Sequence, residues 1–141
     1  MSMRPLADIE AGIDYLERNA AKPAEAAGEM LKFGEEIVEH WLAAHDKAPT
    51  DELKEGFRLL ALHRQAAQGD PSFNACRETC RELAYYYNLI TLDAQHDETN
   101  QRLAMMAMVA RHLYLFITGK MQTAELGEFC CASRPLRADA N

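Results

Sequence analysis

Hydrophobic and polar positions follow each other along this chain with a period of about 3.6 residues, which is the period of an α-helix. The first segment of this kind starts after Pro5, and its apolar positions are Leu6, Ile9, Ile13 and Leu16. Proline suits the first turn of a helix because that turn needs no backbone N–H donor. No segment alternates with a period of two for long enough to indicate a strand. The pattern therefore predicts an all-α protein.

The same period predicts four further helices separated by short turns. They span residues 24–46, 50–67, 71–92 and about 98–119. Thr50 has the character of an N-cap, and Gly69-Asp70-Pro71 ends one helix and begins the next. Short connections favour antiparallel neighbours. We therefore expect an up-and-down bundle of about five helices in a single domain over residues 1–132, with a frayed tail over 133–141.

The fifth predicted helix is unusual because apolar residues lie on two opposite faces. One face carries Leu103, Met106, Ala110, Leu113 and Ile117, and the other carries Met105, Met108, His112, Leu115 and Phe116. A helix that is apolar on all sides is normally buried on all sides. The other predicted helices are too few to surround it completely. We therefore expect this helix to be central, or to close its second face against another subunit in a homodimer.

Composition and charge exclude several classes of function. The chain has 141 residues, a net charge of −7, and 15 Lys and Arg residues that are scattered along it. Direct binding of nucleic acid needs a clustered basic surface, so we do not expect it. Arg102 and Arg111 argue against a membrane span in the fifth helix. The N-terminus enters an amphipathic helix without a leader pattern, which predicts a cytoplasmic protein with reduced cysteines.

Six carboxylates gather on one side of the second predicted helix, opposite its apolar half. This acidic stripe consists of Glu25, Glu29, Glu35, Glu36, Glu39 and Asp46, with Lys32 as the one cation among them. Such a stripe is normally a solvated face, but its lopsided charge would also attract a basic protein partner. We place that contact at Glu29, Glu36 and Glu39. On the opposite half Gly34 indicates the close approach of another backbone, because glycine weakens a helix interior.

The fourth predicted helix adds two candidate features. Tyr85 and Tyr86 are expected to point outward and to extend a contact surface, since tyrosine is enriched at interfaces. Cys76 and Cys80 are four residues apart on the apolar face, where free cysteine normally packs in a core. The alternative is a thiol- or metal-responsive sensor that uses these two cysteines with Cys130 and Cys131 or with His112.

The sequence contains none of the common catalytic or nucleotide-binding motifs, and it lacks the Glu-x-x-His pairs of helical di-iron proteins. We therefore expect a non-enzymatic protein without a cofactor. By composition it suits an adaptor, regulator or inhibitor that binds other proteins, of the kind that phages also carry. A further alternative is a small-molecule pocket between helices four and five, lined by Tyr87 and methionines.

Overall fold

The computed structural model describes residues 4–19 and 22–124, which form five α-helices and no strand. The helices are α1 (Leu6–Arg18), α2 (Pro23–Ala44), α3 (Arg58–Ala67), α4 (Arg77–Leu92) and α5 (Thr99–Thr123), and a 3-10 helix (Pro71–Cys76) leads into α4. The prediction of an all-α protein is confirmed. Within the two described ranges, no helix is both long and apolar enough to pass through a membrane.

Helix α2 is the hub of the bundle, because it contacts each of the other four α-helices. Gly34 lies at the middle of this hub. A Cβ atom there would lie 2.9 Å from Cδ1 of Leu83, 3.6 Å from Cδ2 of Leu59 and 3.8 Å from Cδ2 of Leu113. One leucine each from α3, α4 and α5 therefore meets at this glycine. The close approach predicted at Gly34 is made by leucine side chains and not by a backbone.

Helix α5 contacts α1, α2 and α4 on one side only. Its buried residues are Leu103, Met106, Ala107, Val109, Ala110, Leu113, Ile117 and Met121, together with Thr99 at its start. The opposite face exposes 39% of Met105, 52% of Met108 and 64% of Leu115. The central position expected for this helix therefore belongs to α2, and four of the five residues of the second apolar face of α5 point outward: Met105, Met108, His112 and Leu115.

The predicted start of the third helix at Thr50 is wrong, since the helix begins at Arg58. The Thr50 hydroxyl accepts a hydrogen bond from the backbone N–H of Glu52 at 3.1 Å, which makes a local turn. Glu55 and Gly56 then adopt φ values of 55° and 86°. Two successive residues in this left-handed region form the type I′ turn that joins Lys54 to Phe57. The predicted cap at Asp70 is confirmed, because its carboxylate accepts the N–H of Ser72 at 3.2 Å.

The packing at Gly34 can be tested against Gly28, which lies in the same helix. Either glycine replaced by alanine should favour the helix by about 1 kcal/mol. At Gly28 the new Cβ would meet only Tyr87, at 4.0 Å, whereas at Gly34 it would displace Leu83. Overpacking of this kind costs about 1–3 kcal/mol. The free energy of unfolding of Gly34→Ala should therefore be lower than that of Gly28→Ala by about this amount. Urea titrations of both variants measure the difference, and equal stabilities would contradict the leucine contact.

Candidate functional site

Only part of the acidic stripe of α2 is the solvated face that the sequence predicts, since Glu25, Glu29 and Asp46 are exposed but its middle is covered. Glu36 is 5% exposed and Glu39 is 8% exposed. Arg4 binds Glu36 through its Nε at 2.9 Å and its Nη2 at 2.7 Å. The same guanidinium lies 3.4 Å from Glu29 and stacks 4.2 Å from the ring centre of Phe33. Arg4, the first residue that the structure describes, is thereby fixed on α2.

A second arginine, Arg58, neutralises two further carboxylates of the acidic stripe, Glu35 and Glu39. Nη1 of Arg58 binds Glu39 and lies 3.5 Å from Glu35, while its Nε donates to the carbonyl of Thr50 at 2.8 Å. Burial raises the pKa of the Glu35 carboxyl, although Arg58 opposes that effect. Of the three carboxylates expected to capture a basic partner, Glu36 and Glu39 thus already hold arginines of this chain. Glu29 keeps half of its side chain exposed.

The two tyrosines expected to extend a contact surface differ in exposure. Tyr85 is 58% exposed, as expected, whereas Tyr86 is partly buried against the core. Their rings meet edge to face with centroids 5.3 Å apart. Of these two tyrosines, only Tyr85 is exposed to solvent.

Four residues of α5 form a continuous exposed line, which we call the outer strip: Met105, Met108, His112 and Leu115. They are spaced 3-4-3, which is the spacing of the seam in a coiled coil. None of the exposed residues of α5 is an Asp, Glu, Lys or Arg. Arg111 is turned sideways onto α1, where it binds Asp14 at 2.9 Å and Glu17 at 2.7 Å. The outer strip is therefore an apolar surface without a fixed charge.

Phe116, which the sequence placed on the same face, does not belong to the outer strip. Its ring is partly buried and lies 6.0 Å from the ring of Phe73. The Lys120 ammonium covers this cluster, 5.1 Å from the ring centres of both Trp41 and Phe73, and it lies 3.6 Å from Asp70. These contacts tie the end of α5 to α2 and to the 3-10 helix.

Cys76 at the end of the 3-10 helix and Cys80 on α4 are both buried, which confirms their expected place in the core: Cys76 is 1% exposed and Cys80 is 0% exposed. A neighbour that the sequence analysis missed is His63 of α3, which is 6% exposed and whose Nε2 donates to the carbonyl of Phe73 at 2.7 Å. The hydrogen bond with the Cys80 thiol is the main cause that lowers the pKa of Cys76, and the His63 ring lowers it further. The interaction with Cys76, reinforced by burial, raises the pKa of Cys80.

These groups are not arranged as a metal site. Among the residues that the structure describes, no three His, Cys, Asp or Glu side chains are placed to hold a metal ion. His112 lies on the outer strip, so the alternative set of Cys76, Cys80 and His112 is not brought together. Cys130 and Cys131 lie outside the described residues.

A pocket of about 260 Å³ opens between α3, the 3-10 helix, the start of α4 and the type I′ turn. Five of its lining residues are basic: Lys54, His63, Arg64, Arg77 and Arg81. Leu60, Ala67 and Asn74 complete the lining. We call this site the basic pocket. It lies away from the α4–α5 interface where the sequence suggested a small-molecule pocket.

Sequence reasoning missed the basic pocket because its cations come from separate segments that only the fold brings together. The one local signal is the spacing of Arg77 and Arg81, which are four residues apart and share a face of α4. The burial that holds His63 at this site also lowers its pKa, but hydrogen bonds with Cys76 and with the Phe73 carbonyl outweigh that effect. The net pKa of His63 is therefore raised.

The ion pairs of α2 make a prediction for stability. Arg58→Met should lower the free energy of unfolding at pH 7 by about 3 kcal/mol, because Glu35 and Glu39, two mostly buried carboxylates, lose their ion-pair partner. The loss should be smaller at pH 5. Without Arg58 the pKa of Glu35, which burial already raises, rises further above its unfolded value. That group then stabilises the fold when protonated and ceases to do so as the pH increases.

Urea unfolding at both pH values measures this effect. Lys22→Met is the matched control, because Lys22 pairs with Glu25 at 3.8 Å on the exposed surface and contributes little. If Arg58→Met loses no more free energy of unfolding than Lys22→Met does, or loses more at pH 5 than at pH 7, the proposed neutralisation is contradicted.

Comparisons with known proteins assign no family to this architecture: no family model, no curated protein and no solved structure matches the chain. The function must therefore be argued from the geometry of these surfaces.

Proposed function

We propose that this protein acts by binding another protein chain through the outer strip of α5, and that the first such partner is a second copy of itself. The observation that carries the proposal is the exposed line of Met105, Met108, His112 and Leu115 at the spacing of a helix–helix seam. Large apolar side chains grouped on an exposed surface are typical of interaction sites. The spacing favours an α-helix as the binding element of the partner.

Charge favours a second copy over a basic partner. The chain carries a net charge of −7, so most pairs of surfaces on two copies repel each other. The outer strip has no fixed charge and is free of that repulsion. It also offers no carboxylate to a basic protein, while the buried carboxylates of α2 already bind Arg4 and Arg58.

The length of the outer strip indicates a reversible dimer. From Met105 to Leu115 the helix rises about 15 Å, at about 1.5 Å per residue. A seam of this length buries less surface area than the interfaces of permanent dimers do. Copies that separate readily leave the strip available to a helix of another protein, which suits an adaptor, regulator or inhibitor.

Sedimentation velocity at protein concentrations from about 1 to 100 μM tests the dimer, since a reversible dimer is expected to have a dissociation constant in that range. We expect the mass to rise from monomer to dimer, and Leu115→Glu to remain monomeric because its charge would be buried in the seam. Leu53→Glu is the matched control: Leu53 is equally exposed, at 64%, but lies in the loop before α3. A wild-type mass that stays monomeric, or a Leu115→Glu variant that still dimerises, would reject the outer strip as the self-association surface.

A thiol-responsive role is the second candidate, and the lowered pKa of Cys76 is the observation that favours it. A sensor thiol must also be accessible, and both described cysteines are buried. The proposed role as a protein-binding module therefore ranks above it.

Thiol labelling decides between these roles. In a variant with Cys130→Ser and Cys131→Ser, Cys76 and Cys80 should react with an aromatic disulfide reagent only as fast as the protein unfolds. Adding urea should release the reaction, which provides the positive control. Rapid labelling of Cys76 in the native state would instead support the sensor.

A further inference from the structure

The geometry points to a binding site for a small organic phosphate in the basic pocket, in addition to the protein-binding surface on α5. Two independent features carry this inference: the charge that the pocket concentrates, and the apolar wall beside that charge.

The basic pocket holds more positive charge than its surroundings neutralise. Lys54, Arg64, Arg77 and Arg81 contribute four fixed cations. Two carboxylates pair with them. Glu55 binds Arg81 at 2.9 and 3.1 Å and Lys54 at 3.1 Å, and Glu52 lies 3.9 Å from Arg64. The four cations and the two carboxylates that pair with them leave an excess of two positive charges, in a protein whose net charge is −7. Glu78 also interacts electrostatically with Arg81, but it forms no ion pair among the described residues.

Arg77 is the cation best placed to receive an anion. Arg77 forms no ion pair within residues 4–19 and 22–124. Its side chain is exposed at the rim of the pocket, and Arg81 lies one turn further along α4. A guanidinium presents a planar fork of donors, which suits the oxygens of a phosphate better than a point charge does.

The charge of the pocket distinguishes a phosphate from a carboxylate. A phosphate monoester carries about −1.5 to −2 at neutral pH, which matches the two unneutralised positive charges. A single carboxylate would leave one of them unmatched. Asn74 adds a side-chain amide that can donate a hydrogen bond. His63 lies at the buried side of the pocket, where its Nε2–H is already donated to the Phe73 carbonyl.

The remaining wall indicates that the phosphate carries a small organic group. Leu60 and Ala67 line the same pocket as the cations. A volume of about 260 Å³ exceeds what a phosphate ion fills and is small for a drug-sized molecule. A phosphate with a compact apolar substituent satisfies both parts of the lining.

Glu55 acts as a competitor that is built into the site. The type I′ turn holds its carboxylate on Lys54 and Arg81, two of the cations that a ligand would use. The same ion pairs hold the pKa of Glu55 at about 2, so this competitor stays ionised at neutral pH. A bound phosphate must share those two cations with it.

Isothermal titration calorimetry with phenyl phosphate, inorganic phosphate and phenol tests the inference on the full chain. We expect phenyl phosphate to bind more tightly than inorganic phosphate, and phenol not to bind. Arg77→Gln should weaken phenyl phosphate at least about tenfold, the scale of one lost charge-assisted hydrogen bond. Arg18→Gln is the control, because it removes the same charge from an exposed position in the last turn of α1.

A second variant should act in the opposite direction. Glu55→Gln should strengthen phenyl phosphate binding by about threefold or more, because Lys54 and Arg81 lose their internal carboxylate. Glu10→Gln, on the exposed side of α1, controls for the change in net charge. Circular dichroism of each variant establishes that the helices are intact.

Three results would overturn the inference: no heat with phenyl phosphate up to about 10 mM, equal losses for Arg77→Gln and Arg18→Gln, or weaker binding by Glu55→Gln. Tighter binding of inorganic phosphate than of phenyl phosphate would reject the organic group. None of these outcomes bears on dimerisation, so this inference and the proposed function fail separately.

Discussion

The fold depends on the space that Gly34 leaves at the middle of α2. Because this residue has no side chain, Leu59, Leu83 and Leu113 all reach the same point of the helix surface. That contact sets how closely α3, α4 and α5 approach α2. A second glycine does the same for α1, since a Cβ at Gly12 would lie only 2.4 Å from the ring of Phe33. Two missing side chains therefore fix the positions of all four helices around the hub.

Close packing around α2 also explains why its charges are not where the sequence places them. The two residues that follow Gly34 are glutamates, and helices that come so close to the glycine cover part of the acidic stripe as well. Arg4 and Arg58 come from outside α2 and neutralise the covered carboxylates. All fully buried side-chain nitrogen and oxygen atoms in the described part of the chain have a hydrogen-bond partner. The arginines thus make a polar helix face compatible with burial.

Much of the fold could be predicted from the sequence, because helical period and capping residues are local signals. They gave the five helices and the cap at Asp70. They failed at Thr50, where Thr-Asp-Glu resembles the start of a helix but the left-handed pair Glu55-Gly56 interrupts it. The periodicity of α5 identified its two apolar faces, but it did not identify which one the bundle covers. The partners of Glu36 and the cations of the basic pocket depend on contacts between distant segments, so no local pattern contains them.

The cluster that Lys120 covers has a consequence for observing this protein. Trp41 is its one tryptophan, and its ring lies among Phe73, His45 and the Lys120 ammonium. The tryptophan fluorescence of the chain therefore originates at the place where α2, α5 and the 3-10 helix meet. An event that loosens the 3-10 helix would move Phe73 away from this indole while leaving the long helices intact. The emission spectrum is thus a native, label-free signal for the segment that joins the bundle core to the mouth of the basic pocket.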